Sequence, residues 1–235
     1  IDYYFSRWTE ILSDLGDEYS DQERFFRQNY NAFRKKLNAP FLKGDRQYPL
    51  GTIATRSTML DIYEKIITKD PVAALDELTE NAAIYAGIIL NKTDTLSDEQ
   101  RESYLDLQRV QGAPSYLFIM YLIKHQESLG VTDEDVVKIC KLLVNFFIRR
   151  NLTDTPPTRD LTRIFMSFIE ATEQNEYCGA DIYTNMRDTL ISVSASDEFF
   201  EEKLRGPVYD DNSGATRFIL CMMAKRGMTR ENVQD

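Results

Sequence analysis

The fold class is decided by residues 20–38, SDQERFFRQNYNAFRKKLN. Its apolar side chains recur at spacings of three and four, the period of one face of an α-helix; they are Phe25, Phe26, Tyr30, Phe33 and Leu37. Ser20 and Glu23 have the spacing of a capping box, in which each side chain accepts a hydrogen bond from the other's backbone amide. We therefore predict an amphipathic helix from about Asp21 to Asn38, preceded by its own cap.

The same pattern recurs along the 235 residues. A second stripe precedes the first and consists of Tyr4, Phe5, Trp8, Ile11, Leu12 and Leu15. Residues suited to a helix N-cap precede later stripes: Asp70, Ser97, Thr132, Ser196 and Asn212. No segment alternates with the period of two that is typical of strands. We predict an all-α fold, an irregular multi-helix array of about ten helices with no substantial sheet, in one domain over residues 1–235 with a candidate sub-division near 91–97.

Composition predicts an aromatic core, because the chain has 13 Phe and 13 Tyr but one Trp. The predicted core phenylalanines are Phe25, Phe26, Phe33, Phe146, Phe147, Phe165, Phe168 and Phe218. The three cysteines are widely spaced and lack companion histidines, which favours buried free thiols in a reducing compartment. No apolar run approaches the roughly 18 residues of a membrane span. We therefore expect a cytoplasmic protein with no membrane partner.

A formal net charge of -10 disfavours nonspecific binding of nucleic acid by the surface as a whole. One basic cluster remains, with Arg149 and Arg150 ending a predicted helix and Arg159 and Arg163 beginning the next. A helix–proline–helix corner would gather these guanidiniums, whose geometry suits phosphate. We predict the four arginines as candidate phosphate- or DNA-binding residues. The alternative is structural, with pairing to Asp154, Asp160 or Glu170 or to helix-end carbonyls.

Catalytic motifs are not evident. The single histidine, His125, lacks a nearby Ser or Cys pattern and is expected at a surface or helix end. Residues 201–203, Glu-Glu-Lys, match half of a metal-dependent nuclease signature, but they fall on a predicted helix and are expected to face solvent. Glycine-rich phosphate-binding motifs do not occur. The sequence therefore predicts no catalytic site, no metal site and no cofactor in this chain.

Four short stretches carry a family resemblance: YFSRW (4–8), ERFFRQNY (23–30), NFFIRRNL (145–152) and ATRFIL (215–220). They resemble the helical middle region of GmrSD-type enzymes, bacterial modification-dependent restriction enzymes active in phage defence. In that family a ParB-like domain thought to hydrolyse nucleotide precedes this region, and a His-Asn-His-type nuclease domain follows it. The resemblance implies that this chain is a fragment and that these two domains are its partners.

The departures from the family pattern agree with a fragment. The ParB-like signature Asp-Gly-Gln-Gln-Arg is absent, with only Gly-Asp-Arg-Gln at 44–47, and one histidine cannot supply the nuclease centre. The resemblance therefore implies a non-catalytic scaffold or connector, with assistance in DNA binding as a further candidate role. The alternative is a helical protein-interaction adaptor unrelated to nucleases, and an exposed stripe of Tyr116, Ile119, Tyr121 and Ile123 could serve either function.

Overall fold

The computed structural model describes residues 2–39, 41, 53–90 and 95–227. Within these ranges the chain forms 13 α-helices and one short 3₁₀ helix, and no residue there lies in a strand, which confirms the all-α prediction. The helices are α1 (Asp2–Leu15), α2 (Tyr19–Asn38), α3 (Met59–Lys69), α4 (Pro71–Leu90), α5 (Asp98–Arg109), α6 (Tyr116–Lys124), α7 (Gln126–Leu129), α8 (Asp133–Thr153), α9 (Thr158–Gln174), α10 (Ala180–Val193), α11 (Asp197–Leu204), α12 (Val208–Asp211) and α13 (Ser213–Gly227).

Helix α6 is the centre of the array. Every residue from Tyr116 to Leu122 is buried, and the helix packs against α2, α4, α8 and α9. A helix that is apolar on all sides is stable in water only when other elements surround it. The predicted docking stripe is therefore wrong, since Tyr116, Ile119 and Tyr121 are buried and Ile123 is partly buried.

The aromatic core is largely as predicted. Seven of the eight predicted phenylalanines are buried, and the eighth, Phe26, is half-buried. Helix α1 forms over the predicted stripe, but only Ile11 and Leu15 of that stripe are buried, while Tyr4, Phe5, Trp8 and Leu12 stay exposed. The spacing identified an apolar face correctly, but no described element covers its outer part.

Most predicted helix starts are confirmed. Ser97 and Thr132 each form a complete capping box. The side chains of Asp70, Ser196 and Asn212 accept backbone hydrogen bonds of 3.1, 3.3 and 3.0 Å. These contacts satisfy amide groups that a helix leaves unpaired in its first turn.

The predicted box of Ser20 and Glu23 is wrong. Helix α2 already begins at Tyr19, so Ser20 lies inside the first turn and cannot act as the cap. The buried Glu23 carboxylate instead accepts hydrogen bonds from Arg27 at 2.5 Å and from Arg56 at 2.9 Å. A charged donor is a stronger partner than a backbone amide, and here two of them converge on one carboxylate.

Other predictions are corrected in part or lie outside the described residues. Cys140 is buried, and burial raises the pKa of its thiol to about 12, but Cys178 and Cys221 are exposed. The candidate sub-division near 91–97 falls mainly on residues 91–94, which lie outside the described ranges. Every described helix is too short or too polar to cross a lipid bilayer.

Candidate functional site

The predicted arginine corner lies where α8 ends and α9 begins, and Arg149 turns away from that corner. Its Nη1 donates to the Ala195 carbonyl at 3.0 Å, and its Nη2 donates to the Asp197 carboxylate at 2.5 Å. The guanidinium also lies 4.7 Å from the centre of the Phe200 ring. Arg149 therefore links α8 to the start of α11. Because its Nη1 and Nη2 atoms already donate to protein acceptors, they are poorly placed to bind a phosphate ligand.

Arg150 closes the corner itself. Its Nε donates to the Pro156 carbonyl at 3.1 Å and its Nη2 to the Thr158 hydroxyl at 2.6 Å, while the Asp154 carboxylate lies 3.6 Å away. Its side chain is only 14% exposed. Arg150 thus holds the connection between α8 and α9 in place, as the structural alternative expected for this residue.

Arg159 and Arg163 stand one turn apart on the outer face of α9, and both are exposed. The closest carboxylate to Arg159 is that of Asp160, at the limit of an ion pair at 4.0 Å. Arg163 makes no hydrogen bond or ion pair within the described part of the chain. Glu170, a predicted partner of the cluster, instead pairs with Arg34 of α2. The four arginines therefore separate into two that bind the protein itself and two that face solvent.

A groove of about 960 Å³ lies between α2 and α9. Phe33, Met166 and Ile169 contribute to its apolar lining. Two ion pairs join the helices across it, Arg34 with Glu170 and Lys35 with Glu173, the latter at 2.9 Å. Because these cations already have carboxylate partners, the groove does not carry an uncompensated positive charge for an anionic ligand.

His125 lines this groove at the end of α6, as the sequence predicted. Its ring packs 4.8 Å from the Tyr121 ring and 6.1 Å from the Phe33 ring, measured between centroids. Burial lowers the pKa of the imidazole, and the nearby ammonium groups of Lys124 and Lys36 lower it further. A neutral imidazole can accept a proton, but no described serine, cysteine or carboxylate is hydrogen-bonded to it. Among the described residues, the contacts of the His125 ring are therefore aromatic, with Tyr121 and Phe33.

A second polar cluster, here called the Lys124 network, has a buried centre at Lys124, Glu77 and Asn81 and two exposed members, Lys36 and Glu80. The Lys124 ammonium donates to Glu77 at 2.9 Å, to Glu80 at 2.8 Å and to Asn81 at 2.6 Å. Lys36 also donates to Glu77, at 2.5 Å. The network therefore joins α2, α4 and α6 at the middle of the array.

The Lys124 network continues through amides. Asn81 donates to Asn29 at 2.6 Å, Asn29 donates to the Tyr63 hydroxyl at 2.9 Å, and that hydroxyl donates to the Phe26 carbonyl at 2.9 Å. Each polar group has a partner, which is the condition under which a buried network stabilises a single arrangement of helices. The sequence offered one signal that was missed: Glu77 and Asn81 stand four residues apart on an otherwise largely apolar helix.

No group of three or more potential metal ligands occurs among the described residues. Glu201 and Glu202 are exposed on α11, on the solvent side that the sequence predicted. Comparison with protein-family models gives no match, and comparisons with curated proteins and with solved structures give none either.

Proposed function

We propose that this chain is a non-catalytic helical scaffold, the middle region of a bacterial, cytoplasmic GmrSD-type restriction enzyme of phage defence. In this proposal it sets the spacing between a nucleotide-hydrolysing domain and a nuclease domain, which are its partners. The observation that carries it is the Lys124 network, in which polar side chains of α2, α4 and α6 hydrogen-bond to one another. Fixed helices suit a connector, because a spacing between two domains is only maintained by a stiff element.

The contacts of Arg149, Arg150 and His125 also support a scaffold function. Arg149 and Arg150 bind protein carbonyls and carboxylates, and His125 packs against aromatic rings. The alternative function, a protein-interaction adaptor unrelated to nucleases, would have to bind its partner through a surface other than the stripe predicted on α6, because that stripe is largely buried.

Within this proposal, contact with DNA falls to Arg159 and Arg163. Replacing both with alanine in the parent enzyme should weaken DNA binding about equally across sequences, because phosphate contacts carry little base information. The slope of log affinity against log salt concentration should flatten by about 2 for two lost phosphate contacts. Equilibrium binding measured over a range of salt concentrations checks this.

The matched control is Arg205→Ala, which removes a similarly exposed arginine at the C-cap of α11; its side chain is 81% exposed. It should leave the salt slope unchanged. If the double variant also keeps the slope of the unaltered enzyme, DNA contact is removed from the proposal and only the spacing role remains.

A further inference from the structure

Helix α1 exposes an unusual amount of apolar surface for a helix packed on a core. Phe5 is 73% exposed, Trp8 43% and Leu12 38%. These three residues, here called the α1 face, follow spacings of three and four and therefore lie on one side of the helix. Contiguous exposed apolar surface on a soluble protein is typical of an interaction site.

The α1 face is connected to the core through aromatic contacts. Trp8 stacks on Phe26 with ring centroids 6.4 Å apart and an interplanar angle of 23°. Phe26 in turn meets the buried Tyr63 ring of α3 at 5.1 Å. A preformed aromatic surface loses little conformational entropy when a partner binds, so it can serve as an anchor for that partner.

Exposed acidic residues lie at both ends of α1. Asp2, Asp17 and Glu18 are exposed and have no ion-pair partner in the described ranges. The basic residue of α1, Arg7, is already paired with Glu10 and with Asp76 of α4, both at 3.2 Å. The helix that carries the α1 face therefore has exposed carboxylates without ion-pair partners at both of its ends, and these residues are here called the acidic border.

We propose that the α1 face binds a basic amphipathic helix of a partner protein. An apolar stripe one helix long accepts side chains at the same spacings of three and four on the helix that docks against it. Lysine and arginine on the flanks of that helix would meet the acidic border, which favours this partner over others. A second copy of this chain would bring two acidic borders together, which costs free energy.

Trp8 makes the proposal directly measurable, because it is the only tryptophan in the chain. The probe is a synthetic amphipathic helix of leucine and lysine, as long as α1, added to the 235-residue chain. We expect a saturable blue shift of the tryptophan emission as the indole leaves water. A matched helix in which glutamate replaces lysine should bind far more weakly.

The variants separate the α1 face from general attraction to an acidic protein. Phe5→Ser and Leu12→Ser should each weaken binding by at least about tenfold, as expected for anchors of an interface. Ile191→Ser is the control, because Ile191 is 65% exposed on α10 and should leave affinity unchanged. No shift of the emission, equal binding of the glutamate helix, or unaltered affinity of Phe5→Ser would each overturn the proposal. Self-association of the chain that Phe5→Ser abolishes would also overturn it, since the occupant would then be a second copy.

Discussion

Replacing Lys124 with methionine is expected to lower the free energy of unfolding by about 3–5 kcal/mol. The Lys124 side chain is only 7% exposed, and its ammonium donates hydrogen bonds to Glu77, Glu80 and Asn81. Methionine keeps much of the volume but removes the charge and three hydrogen bonds, which leaves the buried Glu77 carboxylate with less compensation. Urea unfolding followed by circular dichroism gives the difference.

The control for this prediction is Lys141→Met. Lys141 pairs with Glu99 at 2.6 Å, a distance similar to those of Lys124, but both side chains are more than half exposed. An exposed pair contributes about 0–1 kcal/mol, so the control should unfold nearly like the unaltered chain. Equal losses in the two variants would show that burial adds nothing to the Lys124 network.

The Lys124 network also gives stability a dependence on pH. Burial by itself would raise the pKa of Glu77, but hydrogen bonds from Lys36 and Lys124 outweigh it and lower the pKa below its ordinary value. A carboxyl group with a lowered pKa in the folded state stabilises the fold above its unfolded pKa of about 4.3. That contribution is lost as the pH falls through the lowered folded pKa, so Lys124→Met should reduce the loss of stability in acid.

The second large effect is expected for Phe165→Ala, which should cost about 3–5 kcal/mol of unfolding free energy. Phe165 of α9 is fully buried, and its ring lies 6.4 Å from that of Phe146 and 6.3 Å from that of Phe147 on α8. Alanine would leave a cavity between the two helices that neighbouring rings can fill only in part. Denaturant midpoints and slopes measure the loss.

Phe5→Ala is the matched control for that change, because the same side chain is removed where it is 73% exposed. It should alter stability by less than about 0.5 kcal/mol. A loss below about 1 kcal/mol for Phe165→Ala would mean that the contact between α8 and α9 is not part of the core.

The sequence predicted local features well because their causes are local. A capping box such as that of Ser97 and Gln100 involves residues three apart, so the pattern and the contact coincide. The box of Ser20 and Glu23 failed because α2 begins before Ser20 and because Arg56, far along the chain, binds Glu23. The spacing of Ser20 and Glu23 favours a hydrogen bond from the Ser20 amide to the Glu23 carboxylate. A charged arginine is a stronger donor to that carboxylate, so the spacing alone does not determine which donor binds it.

Which surfaces are covered could not be predicted from spacing. The period of α1 identifies its apolar face, but the period contains no information about what packs on it, and Phe5 stays in water. Helix α6 shows the opposite error, since a run apolar on all sides has no polar face to indicate which side meets solvent. For α6, the length and apolar composition of the segment indicated burial better than the spacing of its residues did.

The candidate site was limited in the same way. Chain proximity grouped Arg149 with Arg159, but the direction of each guanidinium depends on partners contributed by distant segments. Arg149 turns to Ala195 and Asp197, which a reading of the corner alone cannot foresee. The Lys124 network likewise depends on three helices whose arrangement follows from packing as a whole.

Native-state hydrogen exchange tests the scaffold most directly, because it measures the free energy at which each helix opens. A scaffold held by the Lys124 network should open as one unit, so amides of α2, α4, α6, α8 and α9 should exchange with the free energy of global unfolding. Lys124→Met should lower that value in all five helices together. Exchange of α2 and α4 at a clearly lower free energy than α8 and α9 would contradict the account, because the chain would then consist of two units that open independently.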